Sequence, residues 1–395
     1  MTYLYIFIFL AILTWVEYKN IFPHLRKISH YIVIALFIFI AGLRYETGVD
    51  WAGYQYTYDS VISFDKAVLN NSFDKVFVSL DVGYTLFNSI VKMFGGGLQV
   101  IFFIVSVLST LLLYKNIHFF TKQVVLGLLI YYCFFFFVFD MSGLRQGLAM
   151  QLVLLGITYL LRNNNKKFFL YVILAGTIHW SSFLMLLTYF IKKKSTMKYH
   201  IAIFPICILV FLFQIPVIDK ILPNANSFIG YSLLLADKVS AYTTHSVFAQ
   251  ARTLDDMSIF TLIKAIVIYI LSLRYMHINK YMPFFFNMFI IEVICYFGLY
   301  ELSEVSERLR YYFTFSELFI LVFIFSHLKL YYKRDFLYIT IFVFTFVNAV
   351  PYLLHYPGTI AYHPYQNYWI YKALDKRSTG EIRLKKHSDF HLGSE

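Results

Sequence analysis

The chain has 395 residues, of which 59% are hydrophobic, 21% aromatic and only 14% charged, with a formal net charge of +12 at pH 7. Soluble domains contain about 25% charged residues, and the apolar runs here are long and continuous rather than alternating, which excludes a soluble domain and a β-barrel. The excess of Lys and Arg does not indicate nucleic-acid binding, because the cations lie in short clusters between apolar runs, as membrane topology requires.

Ten apolar segments are predicted to be transmembrane helices. They cover residues 2–16, 29–43, 98–114, 123–139, 143–161, 200–218, 258–273, 282–300, 311–328 and 336–354. The first segment begins at Met1 without a basic leader or a small-residue cleavage site, and we expect it to be retained. The predicted fold class is therefore all-α, a polytopic membrane protein with about ten transmembrane helices.

Basic residues concentrate in the short connections between these segments, and the positive-inside rule places such connections in the cytoplasm. They are residues 17–28, 115–122, 162–167, 192–198, 274–280 and 329–334. With the N-terminus outside, the outer loops are 44–97, 219–257 and 301–310. We expect one integral membrane domain over 1–375 and a polar, disordered tail over 376–395.

Two further segments are predicted to be helical without forming simple transmembrane spans. Residues 81–94 show helical periodicity but are short and mixed in polarity, which favours a surface-lying helix ended by Gly95–Gly97. Segment 168–191 is apolar, yet basic clusters flank both of its ends. A re-entrant hairpin turning near His179 is favoured over a full span; each arm of about 11 residues would reach roughly 16 Å into the membrane.

The first candidate site follows the second span and contains Arg44, Asp50 and Tyr54. Gly48 permits a tight turn there, so that Arg44 and Asp50 can converge. Arg, Tyr and Trp also favour the membrane interface for purely physical reasons, and simple anchoring is the alternative interpretation.

The second candidate site is the short stretch from Asp140 to Gln146. The loop is so short that Arg145 and Gln146 are drawn towards the membrane, where an arginine costs about 2.5–3.5 kcal/mol at the centre of a helix and needs an anionic partner. Asp140 is the structural candidate for that partner. A lipid-linked phosphate is the functional one, because a guanidinium binds phosphate oxygens in a bidentate manner.

The third candidate is His179, which lies among serines and Trp180 in an apolar segment. A neutral histidine could act as a general base towards a hydroxyl, although a lone histidine is more often a hydrogen-bonded core residue. The fourth is the acidic and basic stretch 301–312, in which Arg308 and Arg310 could face inward. Glu304, Glu307 and Arg308 have i, i+3 and i, i+4 spacing, so internal ion pairing is the simpler explanation.

Other chemistries lack support in the sequence. P-loop, GxGxxG, HExxH and GxSxG motifs do not occur, and the three cysteines lie singly in apolar segments. Oxygen ligands for a divalent ion could come from several aspartates, but no spacing requires a metal. These aspartates are Asp50, Asp59, Asp81 and Asp140. We expect a metal-independent reaction without a cofactor.

At these clusters the sequence resembles the Wzy-type polysaccharide polymerases, specifically the EpsG-like family of O-antigen and exopolysaccharide polymerases. Five motifs between about residues 40 and 315 carry the resemblance in a fixed order. They are Arg44…Gly48-Val49-Asp50…Tyr54, Asp81-Val82-Gly83-Tyr84, Arg145-Gln146-Gly147-Leu148-Ala149, Ala175…His179-Trp180-Ser181 and Arg308…Tyr312-Phe313.

The resemblance implies a membrane glycosyltransferase of C-type architecture in the bacterial inner membrane. It would transfer a glycan from undecaprenyl diphosphate to a lipid-linked repeat unit at the periplasmic face, and a chain-length regulator protein is a further expected partner. The acceptor hydroxyl needs a base, for which the candidates are His179, Asp50 and Asp81. Candidates for binding the diphosphate and the glycan are Arg44, Tyr54, Arg145, Gln146, Arg308 and Arg310.

Three alternatives stay open at this point. A lipid-linked glycan ligase would differ only in its acceptor. A membrane acyltransferase would need a polar donor site on the cytoplasmic side, and the sequence offers no such cluster. A lipid-linked oligosaccharide flippase, which is not an enzyme of this kind, should carry charged residues along a path through the membrane, and such residues are sparse here.

Overall fold

The computed structural model of the chain describes residues 1–192, 197–217, 251–254, 259–328 and 334–391. Within these ranges the chain is mainly helical, and the only paired extended residues are Arg44 and Asn367, which form one antiparallel bridge. The helices, in chain order, are α1 (Thr2–Lys19), α2 (Arg26–Gly42), α3 (Trp51–Ser60), α4 (Phe64–Leu69), α5 (Val82–Met93), α6 (Leu98–Phe120), α7 (Val124–Phe139), α8 (Leu144–Leu160), α9 (Asn165–Ile178), α10 (Thr188–Ile191), α11 (Met197–Leu212), α12 (Ile259–Arg274), α13 (Met282–Gly298), α14 (Ser303–Arg310), α15 (Phe315–Leu328), α16 (Arg334–Leu353), α17 (Tyr368–Ala373) and α18 (Gly380–His391).

The chain divides into two compact units, where the sequence predicted one membrane domain over 1–375. The first unit comprises Met1–Phe183 and Leu328–Glu395, and the second comprises Leu184–His327. Of the predicted outer loop 219–257, the structure describes residues 251–254, and most of the basic connections 192–198 and 329–334 also lies outside the described residues.

Each of the ten predicted spans lies on a helix, which confirms the all-α, polytopic membrane fold. Among the described residues, four helices are long and apolar enough to cross a membrane: Thr2–Lys19, Pro23–Gly42, Leu98–Phe120 and Asp335–Leu353. The other apolar helices have 10–17 residues, and 17 residues extend about 26 Å against a hydrocarbon core of about 30 Å. The number of crossings stays a prediction.

A buried carboxylate joins the ends of three of these helices. Glu17, near the end of α1, accepts hydrogen bonds at Oε1 from Arg26 Nε (3.3 Å) and His30 Nε2 (3.0 Å) of α2. Its Oε2 accepts the backbone N–H of Val125, at the start of α7, at 3.0 Å. Because an N–H in the first turn of a helix has no partner within the helix, this contact satisfies a donor that would otherwise be orphaned.

The predicted helix over 81–94 is present as α5, and the break at Gly95–Gly97 follows it as expected. Gly95 adopts a left-handed φ of 73°, and the next N–H, that of Gly96, is bonded to Val91 O at 2.9 Å. This is the usual way in which a glycine ends a helix.

Within the tail 376–395, which the sequence predicts to be disordered, residues 380–391 form α18. Helix α18 packs against the 3-10 turn Pro357–Tyr362. Arg383 is 4% exposed and donates hydrogen bonds to three backbone carbonyls, of Ala361, Pro364 and Glu46, at 3.2, 3.0 and 2.7 Å. The composition of the tail is that of a disordered segment, but one buried guanidinium satisfies carbonyls from two distant parts of the chain.

Arg383→Gln should loosen this tail. Hydrogen bonds from a charged donor are each worth about 1.5–3 kcal/mol, so losing them should lower the thermal unfolding temperature in detergent and expose the tail to trypsin. Lys385→Ala, on the exposed side of the same helix, should change neither measurement. Equal stability and equal protease resistance of the two variants would contradict this role of Arg383.

Candidate active site

Asp81 brings together residues from three separate parts of the sequence. Its Oδ2 accepts a hydrogen bond from Arg145 Nη1 at 2.7 Å and lies 3.4 Å from His179 Nδ1. Its Oδ1 accepts the backbone N–H of Trp180 at 2.9 Å. Three of the predicted site residues therefore meet at one carboxylate, although they are 64 and 98 positions apart along the chain.

Two tyrosine rings enclose the guanidinium of Arg145. The Arg145 Cζ atom lies 5.5 Å from the ring centroids of both Tyr54 and Tyr84, which are themselves in edge contact at 5.9 Å. Burial raises the pKa of Tyr84 to about 12 and, together with the charge of Asp50, raises the pKa of Tyr54. Both phenols are thus neutral at physiological pH, and the cation interacts with their π faces.

The Asp81 carboxyl is held in its ionised form. Burial raises its pKa, but hydrogen bonds from His179 and the Trp180 N–H, together with the charges of His179 and Arg145, lower it by more. The net pKa lies below the ordinary value for aspartate. Because a carboxylate of low pKa is a weak base, the geometry favours Asp81 as the group that orients His179 and Arg145.

A close approach of two helices gives Asp81 this position. Asp81 is the residue before α5, and a Cβ placed on Gly83 would come within 2.6 Å of Thr177 Oγ1 and 3.0 Å of its carbonyl oxygen. Thr177 lies at the end of α9, two residues before His179. The absence of a side chain at Gly83 therefore brings the start of α5, with Asp81, against the end of α9, with His179.

Gly83→Ala should accordingly separate Asp81 from His179. The methyl group must displace backbone atoms of α9, and a misplacement of about 1 Å at a reacting group can cost about 100-fold in rate. We expect such a loss of glycan elongation with expression retained. Gly53→Ala is the matched control, since a Cβ there meets nothing within 4 Å. Equal activity of the two variants would contradict the requirement for this contact.

His179 lies at the predicted break in segment 168–191. Helix α9 ends at Ile178, His179 has an extended backbone (φ −147°, ψ 108°), and a 3-10 segment, Trp180–Leu187, follows. A Cβ on Gly176 would lie 2.3 Å from the ring of Phe183, so the chain bends at His179. The bend is as predicted, whereas a re-entrant path through the membrane stays a prediction.

Arg44 lies beside this cluster and is completely buried. Its Nη1 donates to Asp140 O at 2.6 Å, and its Cζ lies 4.7 Å from the ring centroid of Phe102, which is in edge contact with Tyr54 at 6.0 Å. The Nε and Nη2 atoms of Arg44 have no hydrogen-bond partner. Buried donors of this kind are costly unless they serve an anion that binds there.

The structure corrects one of the predicted pairings. Asp140 is not the partner of Arg145: its carboxylate accepts a hydrogen bond from Tyr131 OH at 2.5 Å, and Asp81 takes its place. The Gly48 turn, with φ 99°, precedes Asp50, which is exposed at the start of α3, and Arg44 and Asp50 lie close enough for their charges to interact. Gln146 lies close in sequence to the cluster, but its buried Nε2 has no partner.

An apolar groove adjoins the Asp81 cluster. Its volume is about 640 Å³. Val82, directly after Asp81, and Trp180, directly after His179, both line it, together with Leu80 and Phe183. The Asp81 cluster therefore lies at the edge of an apolar surface that is large enough for part of a hydrocarbon chain.

The predicted residues Arg308 and Arg310 belong to the second unit. Glu307 forms ion pairs with Arg310 and, at 3.0 Å, with Arg252, and both of these arginines lie over the ring of Tyr296. Ion pairing within the stretch is therefore present between Glu307 and Arg310, while the side chain of Glu304, a member of the predicted pairing, lies outside the described residues. A part for Arg308 and Arg310 in substrate binding stays a prediction.

The second unit also holds buried charges that the sequence analysis did not single out. Lys264 Nζ lies 2.7 Å from Glu317 Oε2, and Ser316 Oγ donates to Glu292 Oε2 at 3.3 Å. Glu292 and Glu317 are 4% and 3% exposed. Each charge is isolated within its own apolar segment, so the pairing is visible only once the helices are placed together.

No group of three or more His, Cys, Asp or Glu side chains is arranged to hold a metal ion within the described ranges. Asp50, Asp59, Asp81 and Asp140 do not gather as one predicted alternative required. Metal independence itself stays a prediction.

Comparison with known proteins gives one informative result. No curated protein and no solved structure matches the chain. The sequence profile of the EpsG family matches residues 27–367, which include Arg44, Tyr54, Asp81, Arg145 and His179. The chain belongs to the EpsG family.

Proposed function

We propose that the protein is a polysaccharide polymerase of the bacterial inner membrane. It transfers a growing glycan from undecaprenyl diphosphate to the sugar of a lipid-linked repeat unit at the periplasmic face. Membership of the EpsG family supports this class of activity. The observation that carries the proposal is the meeting of Arg145 and His179 at the carboxylate of Asp81, because it places a cation and a candidate base side by side.

The chemistry assigns one role to each of these residues. His179, oriented through Nδ1 by Asp81, takes the proton of the acceptor hydroxyl at Nε2. The hydroxyl oxygen forms a bond to the anomeric carbon of the donor glycan while the bond from that carbon to the diphosphate oxygen breaks. The electron pair leaves with undecaprenyl diphosphate, and Arg145 stabilises the developing negative charge.

Arg44 supplies a second cation to the same leaving group in this proposal. Its two buried N–H groups without partners would be satisfied by phosphate oxygens, which a guanidinium binds with high geometric specificity. Phe102 and Tyr54 connect its guanidinium to that of Arg145 through ring contacts. Two guanidinium groups suit a diphosphate, which carries two charged phosphate groups.

The lipid part of the substrate has a candidate place beside the reacting groups. The apolar groove at Val82 and Trp180 can receive the polyprenyl chain next to its diphosphate. We expect these residues on the periplasmic side, because the basic connections are predicted to lie in the cytoplasm. A chain-length regulator protein stays an expected partner.

Reconstitution into lipid vesicles with purified undecaprenyl-diphosphate-linked repeat units tests the proposal. We expect a ladder of longer lipid-linked glycans, resolved by gel electrophoresis. Transfer to a different lipid or core acceptor without a ladder would support a ligase instead. Movement of unaltered substrate between the leaflets would support a flippase. Either result would overturn the polymerase.

A further inference from the structure

Phe102, whose ring centroid lies 4.7 Å from Arg44 Cζ, also lines a cavity of about 510 Å³ in the first unit. This volume is within the range of about 300–1,000 Å³ that is usual for small-molecule sites. Four of its lining side chains are aromatic and amphipathic: Tyr45, Trp51, Tyr368 and Trp369.

Four other polar side chains line this cavity, and one of them, Gln99, already donates to Gly42 O at 2.6 Å. Glu46 can accept hydrogen bonds, Lys372 can donate them, and Gln55 can do both. The Lys372 Nζ atom lies 5.7 Å from the ring centroid of Tyr45. Flat aromatic walls combined with a few convergent polar groups suit a ligand that has both C–H faces and hydroxyl groups.

The backbone fixes the cavity next to the proposed diphosphate site. Tyr45 N–H donates to Gln366 O, and Tyr368 N–H donates to Leu43 O, both at 2.8 Å. Leu43 and Tyr45 line the cavity, whereas Arg44 between them is completely buried and does not line it.

We propose that this cavity binds a sugar ring of the lipid-linked glycan and selects the repeat unit that is polymerised. The inference rests on the proposed function. The weakly positive C–H face of a pyranose packs on the negative face of an aromatic ring, and the hydroxyls reach Glu46, Gln55 and Lys372. A polyprenyl chain cannot hydrogen-bond to these polar groups, whereas the groove at Val82 is lined mainly by apolar side chains and suits such a chain.

The position of the cavity in the sequence supports a role in selection. The family match ends at residue 367, and Tyr368, Trp369 and Lys372 come directly after it. The residues assigned to the reaction lie within the matched part. The wall formed by α17 therefore lies outside the matched residues, so its side chains are not fixed by the family match.

Kinetics of the reconstituted enzyme test this assignment. Trp369→Ala should raise the KM for the lipid-linked repeat unit about tenfold or more, with kcat changed less than threefold, because a uniform binding contact is lost. Trp369→Phe should restore most of the affinity. Ile370→Ala, an exposed neighbour on the same helix that does not line the cavity, should leave KM unchanged. An unaltered KM in Trp369→Ala would overturn the proposal.

A binding measurement separates this proposal from the polymerase assignment. The probe is the repeat-unit oligosaccharide released by mild acid from the lipid fraction of the producing cells, radiolabelled by reduction and measured by equilibrium dialysis. Wild type should bind it, and Trp369→Ala should bind it at least tenfold more weakly, whether or not glycans are elongated. Loss of undecaprenyl phosphate binding in Trp369→Ala, with oligosaccharide binding intact, would assign the cavity to lipid instead.

Discussion

Asp81→Asn is expected to lower the rate of glycan elongation about 10²–10⁴-fold, the range that general-base catalysis contributes. The amide keeps the size of the carboxylate and can still accept the Trp180 N–H, but it carries no charge. His179 would lose the group that orients its ring, and Arg145 would lose its ionic partner at 2.7 Å. The rate is measured as ladder formation in vesicles.

Two comparisons make this result specific. Asp74→Asn changes an exposed aspartate that lies in the same predicted outer loop and should keep wild-type activity. The double variant Asp81→Asn/His179→Ala should be little slower than either single variant, because residues that act as one unit are not additive. Additive losses would show that Asp81 and His179 act separately, and wild-type activity in Asp81→Asn would remove Asp81 from the mechanism.

The positions of the helices were predictable from the sequence because hydropathy is a local property. The hydropathy of each apolar run, such as 98–114 or 336–354, predicts a membrane-spanning helix by itself, and no other part of the chain is needed for that prediction. The bend at His179 could also be predicted from the sequence, since basic residues at both ends of 168–191 conflict with a simple span. Spacing and charge along the chain were sufficient for these predictions.

The partners of the charged residues were not predictable in the same way. Asp140 was the nearest acidic residue to Arg145 along the chain, yet Asp81, 64 positions away, forms the ion pair. The pairing depends on Gly83 allowing α5 to approach α9, which is a property of packing. Hydropathy and spacing carry no information about which loops meet.

Backbone groups and tail residues were missed for a related reason. The Trp180 N–H that binds Asp81 has no signature in the sequence, since every non-proline residue carries the same donor. Arg383 lies in a polar stretch typical of disorder, and its role depends on carbonyls of residues 46, 361 and 364. Such contacts become visible only when the fold places donors and acceptors together.

Arg145→Lys is expected to reduce elongation about 10²–10³-fold, as the loss of one preorganised donor to a developing charge does elsewhere. The lysine side chain is shorter than that of arginine, and its ammonium group lacks the planar fork of the guanidinium. It cannot contact Asp81, face the rings of Tyr54 and Tyr84 and still bind two phosphate oxygens. Arg145 Nε, which is buried without a partner, is the donor that lysine cannot replace. The loss should appear mainly in kcat, because the leaving-group charge develops in the transition state.

Arg162→Lys is the matched control for the loss of a guanidinium. Arg162 follows the other end of α8, is exposed and lies over the ring of Phe119, so the substitution there should leave kcat and membrane insertion unchanged. Insertion of Arg145→Lys is measured by alkaline extraction of membranes, and it should match wild type because the charge is kept. Full activity of correctly inserted Arg145→Lys would show that a point charge is sufficient at this position and would refute bidentate phosphate binding. Lost insertion would instead assign Arg145 to the stability of the fold, with Asp81 as its structural counter-ion.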